Sequence, residues 1–312
     1  MTRSAVVTQS TNSVLMIRPS RFYPNPETAA DNAFQAGLDC GVHELSAAAR
    51  KEFDAAVQKL RAAGVNVHVF EDTAEPEKPD AVFPNNWIST HHDGRIALFP
   101  MYSALRRRER RHDIVGELRK HYRVTEVIDY SVFEEQGCCL EGTGSLVLDH
   151  PNKITYVSLS NRSNPTMIRR FANDFGYESV IFTSIGSDGR PIYHTNVMMC
   201  IGTAFAMVGL ETIPNKAERQ EVRVQLEKTG KAIVELSGDQ VANFAGNAIE
   251  LHDTHGEKLV VLSDRALRVL TDEQRTRLSR YARLVPLDLP TIELSGGSAR
   301  CMIATIHLTP LL

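Results

Sequence analysis

Apolar residues recur with helical spacing in five stretches of the chain, roughly 45–63, 105–121, 165–175, 216–228 and 271–281, each flanked by turn-forming residues. Their centres lie about 52–59 residues apart, a period that points to internal repeats. After each comes a short run rich in β-branched and aromatic residues, at 65–70, 123–128, 178–182, 232–236 and 282–287. A hairpin-like pair of strands then follows. Four of these pairs show their turn: His92-Asp93-Gly94, Asp149-His150-Pro151-Asn152, Ile201-Gly202-Thr203 and Thr254-His255-Gly256. The length of 312 residues alone suggests two domains. The repeat predicts five helix–strand–hairpin units instead.

The two ends of the chain complete the pattern. The fifth hairpin has a single strand, at 301–308, before the sequence stops. The chain opens on an orphan strand at 13–18 that no helix precedes. Pairing the two closes a ring and removes the sheet edges an open array would expose. The expected fold is therefore one α/β domain over residues 13–312, five units about a pseudo-fivefold axis. Residues 1–12 read as a loose polar tail. A plain α/β sandwich with accidental spacing is the competing reading.

Composition narrows the classes of function. Hydrophobic residues make up 42% and charged residues 23%, with a formal net charge of −3, ordinary for a globular protein and wrong for a disordered one. A pI near 6.4 argues against nucleic acid as a partner. No apolar run reaches the roughly 20 residues that span a bilayer, and the first residues lack the apolar core of a secretory signal. Five irregularly spaced cysteines fit a reducing cytoplasm better than a disulfide framework. The expected partner is a small-molecule substrate, with a homo-oligomer possible and neither nucleic acid nor membrane involved.

The period also organises the chemistry. The start of the first hairpin strand in each unit carries Asn86, Glu141, His194, Asn247 or Cys301, about 54 residues apart. In a pseudo-fivefold ring these positions converge on the axis, uniting a nucleophile, an acid/base, a carboxylate and two amides. Taken singly, each has a duller explanation. A Cys is most often a small buried hydrophobe, yet Cys301 follows a Gly-rich loop and Arg300, and a nearby cation favours a thiolate. His194 follows a Gly/Ser/Asp-rich loop, 184–191, able to act as a lid. Glu141 interrupts an apolar run. Cys138-Cys139 and His91-His92 lack metal-ligand spacing, and no metal or organic cofactor is expected. The arginines of 106–111 spread around a helix as a solvated face, except that Arg106 or Arg107 turned inward would suit a substrate carboxylate.

At this point the motifs resemble a family. Phe83-Pro84-Asn85-Asn86, Leu140-Glu141-Gly142-Thr143-Gly144, Asn161-Arg162-Ser163, His194-Thr195-Asn196 and Gly296-Gly297-Ser298-Ala299-Arg300-Cys301 are similar, in order and across the chain, to those of the guanidino-group-modifying enzymes. That superfamily comprises arginine deiminases, dimethylarginine hydrolases, amidinotransferases and dihydrolases. The N-terminal stretch, with Met16-Ile17-Arg18-Pro19 and Asn32-Ala33-Phe34-Gln35, resembles the citrulline utilisation hydrolase branch, which is amidinotransferase-like. The resemblance implies a five-bladed α/β propeller, the pentein fold. It implies Cys301 as nucleophile, His194 as acid/base, Glu141 as the site carboxylate and Arg162 as holder of the substrate α-carboxylate. Phe83, Asn247, Arg107 and Asn32 are further candidates for substrate binding.

The departures from the family pattern bear on the substrate. Deiminases carry aspartates where this chain has Asn86 and Asn196. Two carboxylates suit a guanidinium cation, whereas amides offer donors and suit a neutral ureido group. The sequence thus points to a Cys-dependent C–N hydrolase acting on citrulline to give ornithine, ammonia and CO2. Arginine dihydrolase or deiminase activity is the alternative. An amidinotransferase or a non-catalytic propeller module fits less well. The N-terminal loop at 25–35 is expected over the cavity mouth.

Overall fold

The computed structural model describes residues 7–37 and 41–311. Strands β1 (Ser13–Arg18) and β2 (Asn66–Glu71) run parallel, joined by a helix over Val42–Ala62. Four three-stranded sheets follow in chain order. They are β3 (Ile88–Thr90), β4 (Arg95–Leu98) and β5 (Glu126–Asp129); then β6 (Val147–Asp149), β7 (Ile154–Ser158) and β8 (Glu178–Phe182). Next come β9 (Met199–Ile201), β10 (Phe205–Val208) and β11 (Ala232–Glu235); then β12 (Ile249–His252), β13 (Lys258–Ser263) and β14 (Arg283–Leu287). A last strand, β15 (Ala304–Thr305), pairs antiparallel with β1, Val14 opposite Thr305, and makes the fifth sheet.

Every sheet is built alike. In four an inner strand forms an antiparallel hairpin with the middle strand, in the fifth β15 takes the inner place beside β1, and in all five a helical crossover returns to an outer strand parallel to the middle one. Parallel neighbours need such a crossover, and the helices of the sequence pattern supply it. The helix over Pro165–Phe175 shows why the pattern was readable. Asn164 caps it by accepting from the Thr166 and Met167 N–H groups, Pro165 opens it, and Gly176 closes it at φ 69°. Met167, Ile168, Phe171, Ala172 and Phe175 form its buried stripe.

Three expectations change. The helix expected over 105–121 is two, Ala104–Arg107 and His112–His121. The break follows from burying Arg106 and Glu109 as a pair on the inner side, while Arg111 takes an extended conformation. The strand expected over 301–308 shrinks to two residues, because Cys301 sits in a turn. The tail expected over 1–12 is not loose throughout. Ser10 and Thr11 are buried, and Gln9 donates to the carbonyls of Leu148 and Ile201. Residues 1–6 lie outside the described part. No described helix is long and apolar enough to cross a membrane.

Candidate active site

Short turns at the entry to the inner strands position the chemistry. Asn86 ends a turn at Pro84–Asn86, before β3. Glu141 precedes a helical turn at Gly142–Ser145, and His194 one at Thr195–Met198. Asn247 stands two residues before β12 and Cys301 three before β15. Repetition of one backbone path therefore brings residues distant in sequence into one place. Close approach demands small residues between them. A Cβ on Gly144 would lie 2.8 Å from His194 Nδ1 and 2.3 Å from the Asn86 amide.

Glu141 is fully buried. Its Oε1 accepts from the Tyr102 N–H at 3.0 Å, and its Oε2 from His194 Nε2 at 2.8 Å. Arg106 Nη1 and Arg162 Nη1 stand 3.4 and 3.6 Å from the same oxygen. Burial pushes the Glu141 carboxyl up, but Arg162, the His194 hydrogen bond and Arg106 together hold it well below the usual carboxylate range. Burial pushes His194 down to about 4 even though Glu141 opposes it. A neutral ring donating from Nε2 to an ionised carboxylate must carry its lone pair on Nδ1. Among the described residues that atom is buried without a partner.

The Cys301 sulfur is held by amides. Asn247 Nδ2 approaches it at 3.1 Å and Asn196 Nδ2 at 3.4 Å. Asn247 Oδ1 accepts from the Arg300 N–H at 3.1 Å and so fixes the turn that presents the thiol. Cys301, His194, Asn86, Phe83, Arg162 and Asn32 all line one cavity. Asn196 and Asn247 sit behind the thiol and do not line it. The expected Asn86–Asn196 pair around a substrate is thus divided between two tasks. Asn86 is itself engaged: oriented by its neighbours, its amide oxygen accepts from both Arg106 Nη atoms at 3.0 Å and its nitrogen donates to Asn85.

The inward arginine is Arg106. It forks onto Glu109 at 2.9 and 3.0 Å and reaches Asp80 at 3.6 Å. Burial opposes its charge, but Glu109, Glu141 and Asp80 outweigh burial. Arg107 points away from the cavity instead, onto the Met101 carbonyl at 3.0 Å and towards Glu134. One residue along a helix rotates a side chain by about 100°, so only one of the two can face inward.

The sequence reading missed three groups. Asp80 lines the cavity; its Oδ2 accepts from Asn25, its Oδ1 has no partner, and burial pushes its carboxyl up despite Arg106. An Asp three residues before Phe83 in an apolar run was the available signal. Tyr193 lies beneath the Arg162 guanidinium at 4.5 Å and donates its hydroxyl to the Gly296 carbonyl. Asp31 takes Arg162 in a fork at 2.7 and 3.2 Å.

Asp31 belongs to the N-terminal loop, which lies over the cavity, with Thr28 and Asn32 in its wall. Asn32 Nδ2 donates to the Ser295 carbonyl at 3.1 Å, and Gln35 bridges to Ser295. Gly296, at φ 81°, leaves room for Asn32, which a Cβ there would meet at 2.4 Å. The loop at 184–191 stands beside it, Arg190 donating to the Ala30 carbonyl at 2.9 Å. Closed in this way, the cavity has about 10 Å³ of free space, room for about one water molecule.

A sequence model of the family described as N,N-dimethylarginine dimethylhydrolase, eukaryotic, matches residues 18–308. No curated protein sequence matches the chain. Among solved structures, the substrate-bound N-terminal domain of ArgZ, an arginine dihydrolase from the ornithine–ammonia cycle in cyanobacteria, is 16% identical with a TM-score of 0.73. The match covers 96% of this chain and 99% of that one. AgrE, in a complex with ornithine and NAD+, is 15% identical with a TM-score of 0.74, the match covering 96% of this chain but 40% of AgrE. A dimethylarginine dimethylaminohydrolase carrying an S-methyl-L-thiocitrulline adduct is 14% identical with a TM-score of 0.61, over 94% and 98% of the two chains. At such identities these structures share the fold.

Proposed function

Since the chain belongs to the N,N-dimethylarginine dimethylhydrolase family of guanidino-group hydrolases, we propose that it is a Cys-dependent hydrolase whose substrate is the ureido group of citrulline. The observation that carries this reading is His194, bonded to the buried Glu141 and with Nδ1 unpartnered among the described residues, lining the same polar cavity as Cys301. Cys301 gives its proton to His194 Nδ1 and attacks the ureido carbon. The terminal nitrogen leaves as ammonia, protonated by His194, and an N-substituted thiocarbamate remains on the sulfur. His194 then takes a proton from water, which displaces the thiolate. The released carbamate loses CO2 to give ornithine. Glu141 holds the imidazole in the tautomer this requires and stabilises it when charged.

Side-chain amides donate towards the thiol, and donors of this kind suit the carbonyl of a neutral ureido group. For the amino-acid end, Arg162 suits the α-carboxylate and the unpartnered Asp80 Oδ1 suits the α-ammonium. A second reading, arginine taken through citrulline to ornithine, draws support from the fold likeness to ArgZ across nearly the whole chain.

Separate incubations with citrulline, arginine and dimethylarginine, assayed for ornithine, citrulline, ammonia and methylamines, test the proposal. Ornithine and ammonia from citrulline are expected. Arginine converted to ornithine with citrulline also turned over favours the dihydrolase reading. Arginine or dimethylarginine converted to citrulline that then accumulates overturns the ureido reading.

A further inference from the structure

Behind the catalytic thiol lies a second cavity, of about 50 Å³, walled by the inner strand of every sheet: Thr90, Leu148, Cys200, Glu250 and Thr305 all line it. At its rear Gln9 acts as a stopper, donating to the Leu148 and Ile201 carbonyls and accepting from the His150 N–H at 2.9 Å. Arg300 projects into this chamber. Its guanidinium spends one N–H on the Ile303 carbonyl at 2.8 Å, and among the described residues it pairs with no carboxylate. Among the described residues that is the one hydrogen bond its guanidinium makes, and a guanidinium carries five N–H donors. The one acid in the wall, Glu250, is taken by the backbone N–H and hydroxyl of Thr203.

The acidic groups around Arg300 are the Cys301 and Cys200 thiols and Glu250. Burial keeps the Cys200 thiol neutral, pushed up to about 12. His150 and His307 are imidazoles, their ring centres 4.2 Å apart, and His307 Nδ1 is buried without a partner. A half-buried cation gains from a partner. The wall facing Arg300 holds one carboxylate, Glu250, already committed to Thr203; the rest are hydroxyl, amide, imidazole, thiol and apolar groups.

We propose that this chamber binds one small oxyanion, gripped by the Arg300 guanidinium and by the ring N–H of His307. Carboxylate- or phosphate-like geometry suits the planar fork. The space admits about three or four water-sized centres, which limits the ligand to an ion such as bicarbonate or inorganic phosphate. The site is separate from the catalytic cavity, whose cations are Arg106 and Arg162.

The test follows the thermal midpoint of the full-length protein against phosphate and, separately, bicarbonate, with chloride at equal ionic strength as reference. A ligand of the native state raises the midpoint with its concentration. A saturable rise beyond chloride is expected for at least one oxyanion, and the effective ion identifies the source. Arg300→Gln should weaken the response about tenfold or more, and His307→Gln should weaken it several-fold. Arg162→Ala should leave it intact. Should Arg300→Gln fail to fold, His307→Gln decides the matter alone. No rise beyond chloride, or a rise that is lost with Arg162 and kept without Arg300 or His307, overturns the proposal.

Discussion

At the scale of single residues, the thiol and the imidazole have no substitutes within reach. Cys301→Ala should abolish turnover while leaving the thermal midpoint within a few degrees of wild type, since the change removes one sulfur from a buried turn. His194→Ala should cost about 10²–10⁴-fold in kcat, the usual range for general acid–base help. Residual turnover near wild type in either variant would remove the covalent mechanism. Asn86→Asp is the more informative substitution. Its amide oxygen faces both Arg106 Nη atoms at 3.0 Å, so a new carboxylate meets a cation before it meets substrate. The expected effect on citrulline is a loss of about tenfold or less in kcat/KM, because the lost donor to Asn85 costs about 1 kcal/mol. Arginine should lose less than citrulline. Equal losses for the two substrates would mean that Asn86 serves only the packing of Arg106.

At the scale of elements, Asp31 and the loop that carries it lie over the cavity. The carboxylate of Asp31 sits on Arg162 in the geometry a substrate α-carboxylate would adopt. Substrate must then displace it, and the loop with it, since the closed cavity holds about one water. Asp31→Asn should lower KM by up to about tenfold and speed amide exchange over residues 25–35, whereas Arg162→Ala should raise KM more than it lowers kcat. A higher KM in Asp31→Asn would instead make Asp31 part of the substrate's own binding surface. Elements were also where the sequence was most legible. The helices over Pro165–Phe175 and Lys216–Lys228 and the strands Ser13–Arg18 and Glu178–Phe182 follow from caps and periodicity alone. Legibility failed where tertiary burial overrode local pattern. Arg106 and Glu109 look like surface charges until their pairing breaks the helix inward. Asp31 shows no signal of chemistry until the fold sets it beside Arg162, and Asp80 only its place three residues ahead of Phe83 before it meets Arg106.

At the scale of the whole molecule, many titratable groups are buried, and pH should read them out. His91, His150 and His307 are held well below the usual histidine range, first by burial and then by neighbouring imidazoles and cations, and burial pushes His194 to about 4. In the unfolded chain each returns to about 6.5. Below that pH the unfolded state binds more protons, so stability is fully present above 6.5 and is lost as pH falls towards the native values. Glu109, pushed up to about 8 by burial, has the opposite sign: its contribution is full below 4.5 and fades as pH rises through 8. Asp80, also pushed up by burial, shares the sign of Glu109, so the loss on acidification is set by the imidazoles working against these two carboxyls. Thermal unfolding followed from pH 7.5 to 5 should show a midpoint that is nearly level above 7 and falls steeply below 6. His307→Gln should fall less steeply, because it removes one of the protons taken up on unfolding. A midpoint that stays level down to pH 5 would mean that these imidazoles find solvent or a partner in the native state and are not held neutral by burial.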